Sequence, residues 1–171
     1  MKTILITGRI GAGKSAVSRI VEAAGYPVYD SDSRTKALYA SVPGLTERIE
    51  AELGVRMENL ACIFSDEGLR EKLEALVYPY VLADFKAWRE ECGAPVAFFE
   101  SAVAHTKSAF ADIFDSVLLV SAPLEVRVER NPKAAQRDAL QAEPEKYGWR
   151  IVNDGSLEEL EKKVNDYLKT I

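Results

Sequence analysis

The chain has 171 residues, 47% of them hydrophobic, with 27 acidic against 22 basic side chains and a formal net charge of −5. That balance excludes a broad basic face for nucleic acid, and no apolar run reaches the length of a transmembrane helix. Met1-Lys2-Thr3 runs straight into an apolar segment, a pattern that predicts no signal peptide. Cys62 and Cys92 share no metal-ligand spacing, which predicts two reduced, part-buried thiols in a cytoplasmic protein of one domain with room for an insertion.

The first predicted strand is Thr3–Thr7. It is followed at once by Gly8-Arg9-Ile10-Gly11-Ala12-Gly13-Lys14-Ser15, which fits G-x-x-x-x-G-K-[ST] at every fixed position, and then by an amphipathic helix from Ala16 to Ala24. Strand, loop and helix in that order are the context the motif requires. Glycines let consecutive backbone N–H groups turn inward, and the helix adds the positive end of its dipole. Lys14 is placed to reach the β- and γ-phosphates of a nucleoside triphosphate, and Ser15 to offer its hydroxyl to Mg²⁺. Two other readings share these letters. One is a plain tight turn. The other is a dinucleotide site, since Gly11 to Ala16 also reads G-x-G-x-x-A with Asp30 or Asp32 about twenty residues on; Gly8, Lys14 and Ser15 would then be superfluous.

A second strand, Pro27–Tyr29, ends in Asp30-Ser31-Asp32. A carboxylate on that rim can accept the proton of an acceptor hydroxyl or hold a metal-bound water. Asp32 can also cap the predicted helix Ser33–Tyr39. From Asp30 to Pro95 no strand pattern occurs, twice the length of a simple crossover, so a helical lobe spanning about 33–94 is inserted here. Ser65 is its predicted cap, with Leu69, Leu73, Leu76 and Val77 as a buried face. Pro79 starts another helix or kinks this one, and Tyr80, Val81, Phe85 and Trp88 continue the apolar side. The lobe covers a phosphoryl acceptor or is simply more core.

Strand three, Val96–Phe99, ends in Glu100, an acid placed like one that holds Mg²⁺ through water. His105, the one histidine, is given no role. After strand four, Val117–Val120, basic residues recur at Arg127, Arg130, Lys133, Arg137 and Lys146, the last three within the irregular segment Asn131–Tyr147; a lid over about 127–148 or a solvated face both fit. Strand five, Trp149–Val152, leads to a final helix with Ser156 as cap, Glu159 closing a capping box, and Leu157, Leu160, Val164 and Leu168 as its stripe. Alternating apolar strands and helices predict an α/β fold of the P-loop NTPase kind, with a five-stranded parallel sheet. D-x-x-G and N-K-x-D are absent, which argues against a regulatory GTPase.

Taken together the chain resembles the dephospho-coenzyme A kinase family. That family has a G-G-I-G-S-G-K-S-T-like loop, matched by Gly8 to Ala16, and a V-I-D-A-D run, matched by Val28-Tyr29-Asp30-Ser31-Asp32. Ile63-Phe64-Ser65, Leu73-Glu74-Ala75-Leu76, Tyr78-Pro79, Phe98-Phe99-Glu100 and Asn153-Asp154-Gly155-Ser156 follow in the family's order. The resemblance implies a P-loop kinase with a helical acceptor lobe and a lid, using ATP and Mg²⁺ to phosphorylate the ribose 3′-hydroxyl of dephospho-coenzyme A. Asp32 matches the catalytic base. Lys14 and Ser15 match the phosphate and Mg²⁺ ligands, with Gly8, Ile10, Gly11, Ala12, Gly13 and Ala16 completing the cradle. Tyr78 and Glu100 fall with Asp32 on the acceptor side, and Asn153 approaches the nucleotide. Arg130, Arg137 and Gln136 are the lid candidates. Three positions depart from the family: Tyr78 replaces a histidine, Ala16 a threonine, and the lid is about a dozen residues short. A shikimate-type kinase and a nucleotide-binding homologue without turnover are the alternatives.

Overall fold

The computed structural model describes residues 1–138 and 141–171, with only the backbone of 64 and 65. The cap expected at Ser65 therefore lies outside the described side chains. Five apolar segments form strands: β1 Lys2–Thr7, β2 Val28–Asp30, β3 Val96–Glu100, β4 Ser116–Ser121 and β5 Trp149–Val152. They make one parallel sheet in the order β2-β3-β1-β4-β5. β1 is central and fully buried from Thr7 back to Ile4, which is why it reads as a continuous apolar run rather than an alternating one. β2 is displaced by one residue from its predicted span and takes in Asp30.

The helices are α1 Lys14–Ala23, α2 Ser31–Ser41, α3 Leu45–Leu53, α4 Glu67–Cys92, α5 Leu124–Arg130, α6 Lys133–Arg137 and α7 Leu157–Leu168. The chain divides into two compact units: residues 1–30 with 92–171, and residues 31–91. In the first, alternate residues of the sheet (Ile4 and Ile6, Leu118 and Val120) face one way and pack with Phe98 and Ile151 against Val17 and Val21 of α1 and Leu160, Val164, Tyr167 and Leu168 of α7. On the other side Phe99 meets Phe110 and Phe114 at ring-centroid distances of 5.8 and 5.2 Å and stacks on Tyr29 at 5.0 Å.

Local signals hold where they are self-contained. Ser156 caps α7 and Glu159 returns the bond, a complete capping box. Leu157, expected in the stripe, is 60% exposed; Tyr167 is buried instead. α1 stops at Gly25, whose φ of +91° lets Tyr26 N–H reach the Val21 carbonyl and Gly25 N–H the Glu22 carbonyl.

The inserted unit holds α2, α3 and α4, joined by short turns and a 3₁₀ segment at Met57–Ser65. Asp32 does not precede its helix: α2 begins at Ser31 and Asp32 lies in the first turn, exposed, where a negative charge complements the helix dipole. Of the two readings of Pro79, the start of a new helix is ruled out. Pro79 sits inside the single 26-residue α4, whose buried positions Leu73, Val77, Val81 and Phe85 recur every four residues straight through it. Cys92 is half-buried, but Cys62 is exposed, contrary to expectation, because it lies in the 3₁₀ turn rather than on a packed face. Among the described residues no helix is long and apolar enough to cross a membrane.

Candidate active site

The phosphate loop joins the central strand β1 to α1, so it opens at the carboxyl ends of the strands, beside β3 on one side and β4 on the other. Three glycines shape it, with φ of +150° at Gly8, +78° at Gly11 and +97° at Gly13. A Cβ on Gly8 would strike the Val120 carbonyl, on Gly11 the backbone of Arg127, and on Gly13 the Asn153 amide. Each glycine is thus required twice, by conformation and by a neighbour. Gly13→Ala is expected to cost about 1–3 kcal/mol and lower Tm by roughly 3–10 °C, read by thermal unfolding without nucleotide; an unchanged Tm would contradict this packing.

Asn153 fastens the loop. Its Nδ2 donates to the Ala12 carbonyl at 2.9 Å in a buried contact, and its own N–H is held by the Ser121 carbonyl at 2.7 Å. Arg130 closes the arrangement by donating to the Asn153 carbonyl at 3.0 Å. Lys14 donates from Nζ to the Gly8 carbonyl at 2.9 Å, so the ammonium lies across the loop. Gly13 lies at the N-terminal end of α1, where the first backbone N–H groups have no intrahelical acceptor and suit an anion.

Glu100 reaches α1 from the end of β3. Ser15 Oγ donates to its Oε1 at 2.9 Å and Ser18 Oγ to its Oε2 at 2.6 Å. The two serines are three residues apart, one face of a helix. With its proton committed to Glu100, the Ser15 oxygen keeps its lone pairs for a cation, which is the donor set Mg²⁺ takes: hydroxyl, carboxylate and water. Asp30 is in register with Glu100, and both line a cleft of about 160 Å³ with Ser15, Ser18, Arg19 and Glu22. Sequence reading found Glu100 but not Ser18, whose role depends on a strand 82 residues away.

Of the basic residues from α5 onward, Arg130, Lys133 and Lys146 are exposed, as a solvated face would have them, and Arg127 is not. Arg127 is buried, donating to the Ala122 carbonyl at 3.0 Å and to Asp138 Oδ1 at 2.7 Å. Asp138 also accepts from Arg9 at 2.9 Å. Hydrogen bonds from Arg127 first, then Arg9, hold its carboxyl below the usual carboxylate range. The glutamine that touches the phosphate loop is Gln141, whose Oε1 accepts the Ile10 N–H at 2.7 Å; Gln136 is exposed. Arg137 ends α6, one residue before Asp138. His105 has a place after all. Its Nε2 donates to the Ala142 carbonyl at 3.1 Å, so the neutral ring accepts from Thr7 Oγ1 at Nδ1, 3.2 Å away. Burial holds it below the ordinary histidine value.

In the inserted unit Asp32 acts on Tyr39, whose phenol is pushed up by burial and then by the Asp32 charge. Tyr78 is pushed up further, by burial and then by Glu74, with which it shares a hydrogen bond; Tyr39 also contributes. Tyr39 of α2 is thus the electrostatic neighbour of both Asp32 on its own helix and Tyr78 on α4. Arg34 and Asp84 tie those same helices with two parallel bonds of 2.8 and 2.7 Å.

The strand order decides against the dinucleotide reading. In that fold the strand bearing the ribose acid lies next to the first strand; here β3 stands between β1 and β2, and the strand-end acid bonded to Ser15 is Glu100 of β3. The model of the CoaE, dephospho-CoA kinase, family matches residues 2–168. The chain belongs to the dephospho-CoA kinase family. The dephospho-CoA kinase of Porphyromonas gingivalis is 41% identical over 152 residues, 84% of this chain and 73% of that one. The crystal structure of TT1252 from Thermus thermophilus superposes with a TM-score of 0.83 at 30% identity, covering 99% of this chain and 97% of the other. Dephospho-CoA kinase from Campylobacter jejuni, at 15% identity and TM-score 0.66 over 99% and 96%, shares the fold. Members of the family are kinases, and the P-loop of this one is complete.

Proposed function

We propose that this family member transfers the γ-phosphoryl group of Mg–ATP to the ribose 3′-hydroxyl of dephospho-coenzyme A, giving coenzyme A and ADP. The observation that carries the reading, within a chain of this family, is the Ser15–Glu100–Ser18 arrangement beside an intact phosphate loop. A degenerate loop without turnover would have no need to keep a carboxylate on the hydroxyl that faces the cation.

Phosphoryl transfer is chiefly alignment and charge neutralisation. The loop amides and Lys14 take the β- and γ-oxygens. Ser15, oriented by Glu100, is the side chain that would hold Mg²⁺, which when bound spreads the charge developing on the phosphates. Asp32 is the base: its carboxylate accepts the acceptor's hydroxyl proton as the oxygen attacks phosphorus and the bond to the bridging oxygen of ADP breaks. Tyr78 and the lobe spanning about 33–94 bind the acceptor, and the arm of about 127–148, with Arg130 and Arg137, covers the nucleotide. Asn153 sets the loop against the nucleotide.

Incubation with Mg–ATP and dephospho-coenzyme A, followed by chromatography, is expected to give a coenzyme A peak dependent on both substrates. Intact ATP binding without that product would overturn the acceptor assignment. Glu100→Gln removes the negative charge behind Ser15. It is expected to reduce activity or apparent Mg²⁺ affinity about 10–100-fold, seen as a shifted Mg²⁺ titration at fixed ATP; an unshifted titration would remove Glu100 from this role.

A further inference from the structure

Residues that follow α6 are tied to the phosphate loop at two points and to the end of β1 at a third. Asp138 takes the Arg9 guanidinium, Gln141 takes the Ile10 N–H, and the Ala142 carbonyl takes His105, which holds Thr7 at the end of β1. The first of these ties is the one with reach. Asp138 Oδ1 is shared between Arg9 and Arg127. Arg127 is 5% exposed, and its NH1 is buried with no partner among the described residues, so Asp138 is the anion that balances it. The Arg127 backbone in turn lies against Gly11, where no Cβ would fit. Arg9, Asp138, Arg127 and Gly11 therefore close a ring that starts and ends on the phosphate loop.

We propose that Arg9 is a positioning residue, which holds the phosphate loop in its nucleotide-receiving shape by pairing with Asp138 and, through it, with the buried Arg127. This rests on the reading that the loop binds Mg–ATP. A loop ordered before binding spends none of the binding free energy on its own ordering. Arg9 is the second residue of the loop, and its side chain points to Asp138 and, at 3.8 Å, to Glu143. Its loss therefore acts on nucleotide affinity and leaves the acceptor, bound by other groups, unaffected.

The test is Mg–ATP titration calorimetry in the absence of acceptor, together with steady-state kinetics, on wild type, Arg9→Gln, Asp138→Asn and the double variant. Arg9→Gln is expected to raise the ATP Kd and KM about five- to tenfold, with the KM for dephospho-coenzyme A within about twofold. The double variant is expected to be no worse than Asp138→Asn alone, because the link to Arg9 is already broken there. Arg9→Lys, which keeps the charge and one donor, is expected to recover most of the affinity. If Asp138→Asn fails to fold through the uncovered charge of Arg127, Arg9→Gln and Arg9→Lys still decide. An unchanged ATP Kd in Arg9→Gln, additive effects in the double variant, or an equal rise in both KM values would each overturn the proposal. A wild-type chain that does not bind Mg–ATP would overturn the nucleotide reading itself, and this role with it.

Discussion

Lys14→Ala is expected to abolish detectable turnover and weaken Mg–ATP binding severely. The β- and γ-phosphates bring several negative charges into a cradle of neutral amides, and Lys14 is the motif's cation for them. Two unit charges about 4 Å apart interact by roughly 4 kcal/mol at an effective dielectric of about 20, and the interaction grows as charge develops during transfer. Loss of one such contact to developing charge typically costs about 10²–10³ in turnover, and here ground-state binding falls as well. The change should leave the fold alone. Lys14 is the first residue of α1 and its ammonium caps a loop carbonyl rather than filling the core, and alanine is the better helix former. Near-wild-type activity in a folded Lys14→Ala protein would dismantle the phosphate-loop reading.

Asp32→Asn is expected to separate chemistry from binding. Asparagine has the shape of aspartate and serves well near a helix N-terminus, so α2 keeps its first turn. It cannot take a proton at neutral pH. Turnover should fall about 10²–10⁴-fold, the usual contribution of a general base, with the ATP Kd unchanged by calorimetry. The opposite pattern, normal turnover with a lowered Tm, would make Asp32 a helix-terminal residue and no more. A variant that loses ATP affinity instead would move Asp32 to the nucleotide side. The shift of Tyr39 offers a further readout: removing the Asp32 charge should lower the Tyr39 phenol from its raised position, visible in an ultraviolet titration.

The features legible in the chain were those whose physics is local. The G-x-x-x-x-G-K-S run is contiguous, and its glycines, lysine and serine act within one turn of backbone. The capping box at Ser156 and Glu159 spans one helical turn, and every strand announced itself by a short apolar run. Pro79 left two readings open, a new helix or a kink in the same one, because proline lacks the N–H a helix interior uses; burial every four residues carries the single α4 across it. The burial of Arg127 was not legible either. Charge in a sequence signals solvent, and nothing near Arg127 in the chain revealed that Asp138 would fold back to balance it in the interior.

By itself, then, the sequence determined a phosphate-binding loop on an apolar strand, a parallel α/β sheet, an inserted helical lobe and the set of acids available to work beside the loop. Tertiary structure alone decided which acid meets which hydroxyl. Placing β3 between β1 and β2 brings Glu100 onto Ser15 and Ser18, across 85 and 82 residues of chain. Placing β5 beside β4 brings Asn153 onto Ala12, 141 residues away. Contacts of that range are fixed by strand order and register. These depend on how all the apolar faces pack at once and leave no trace in any short window of sequence.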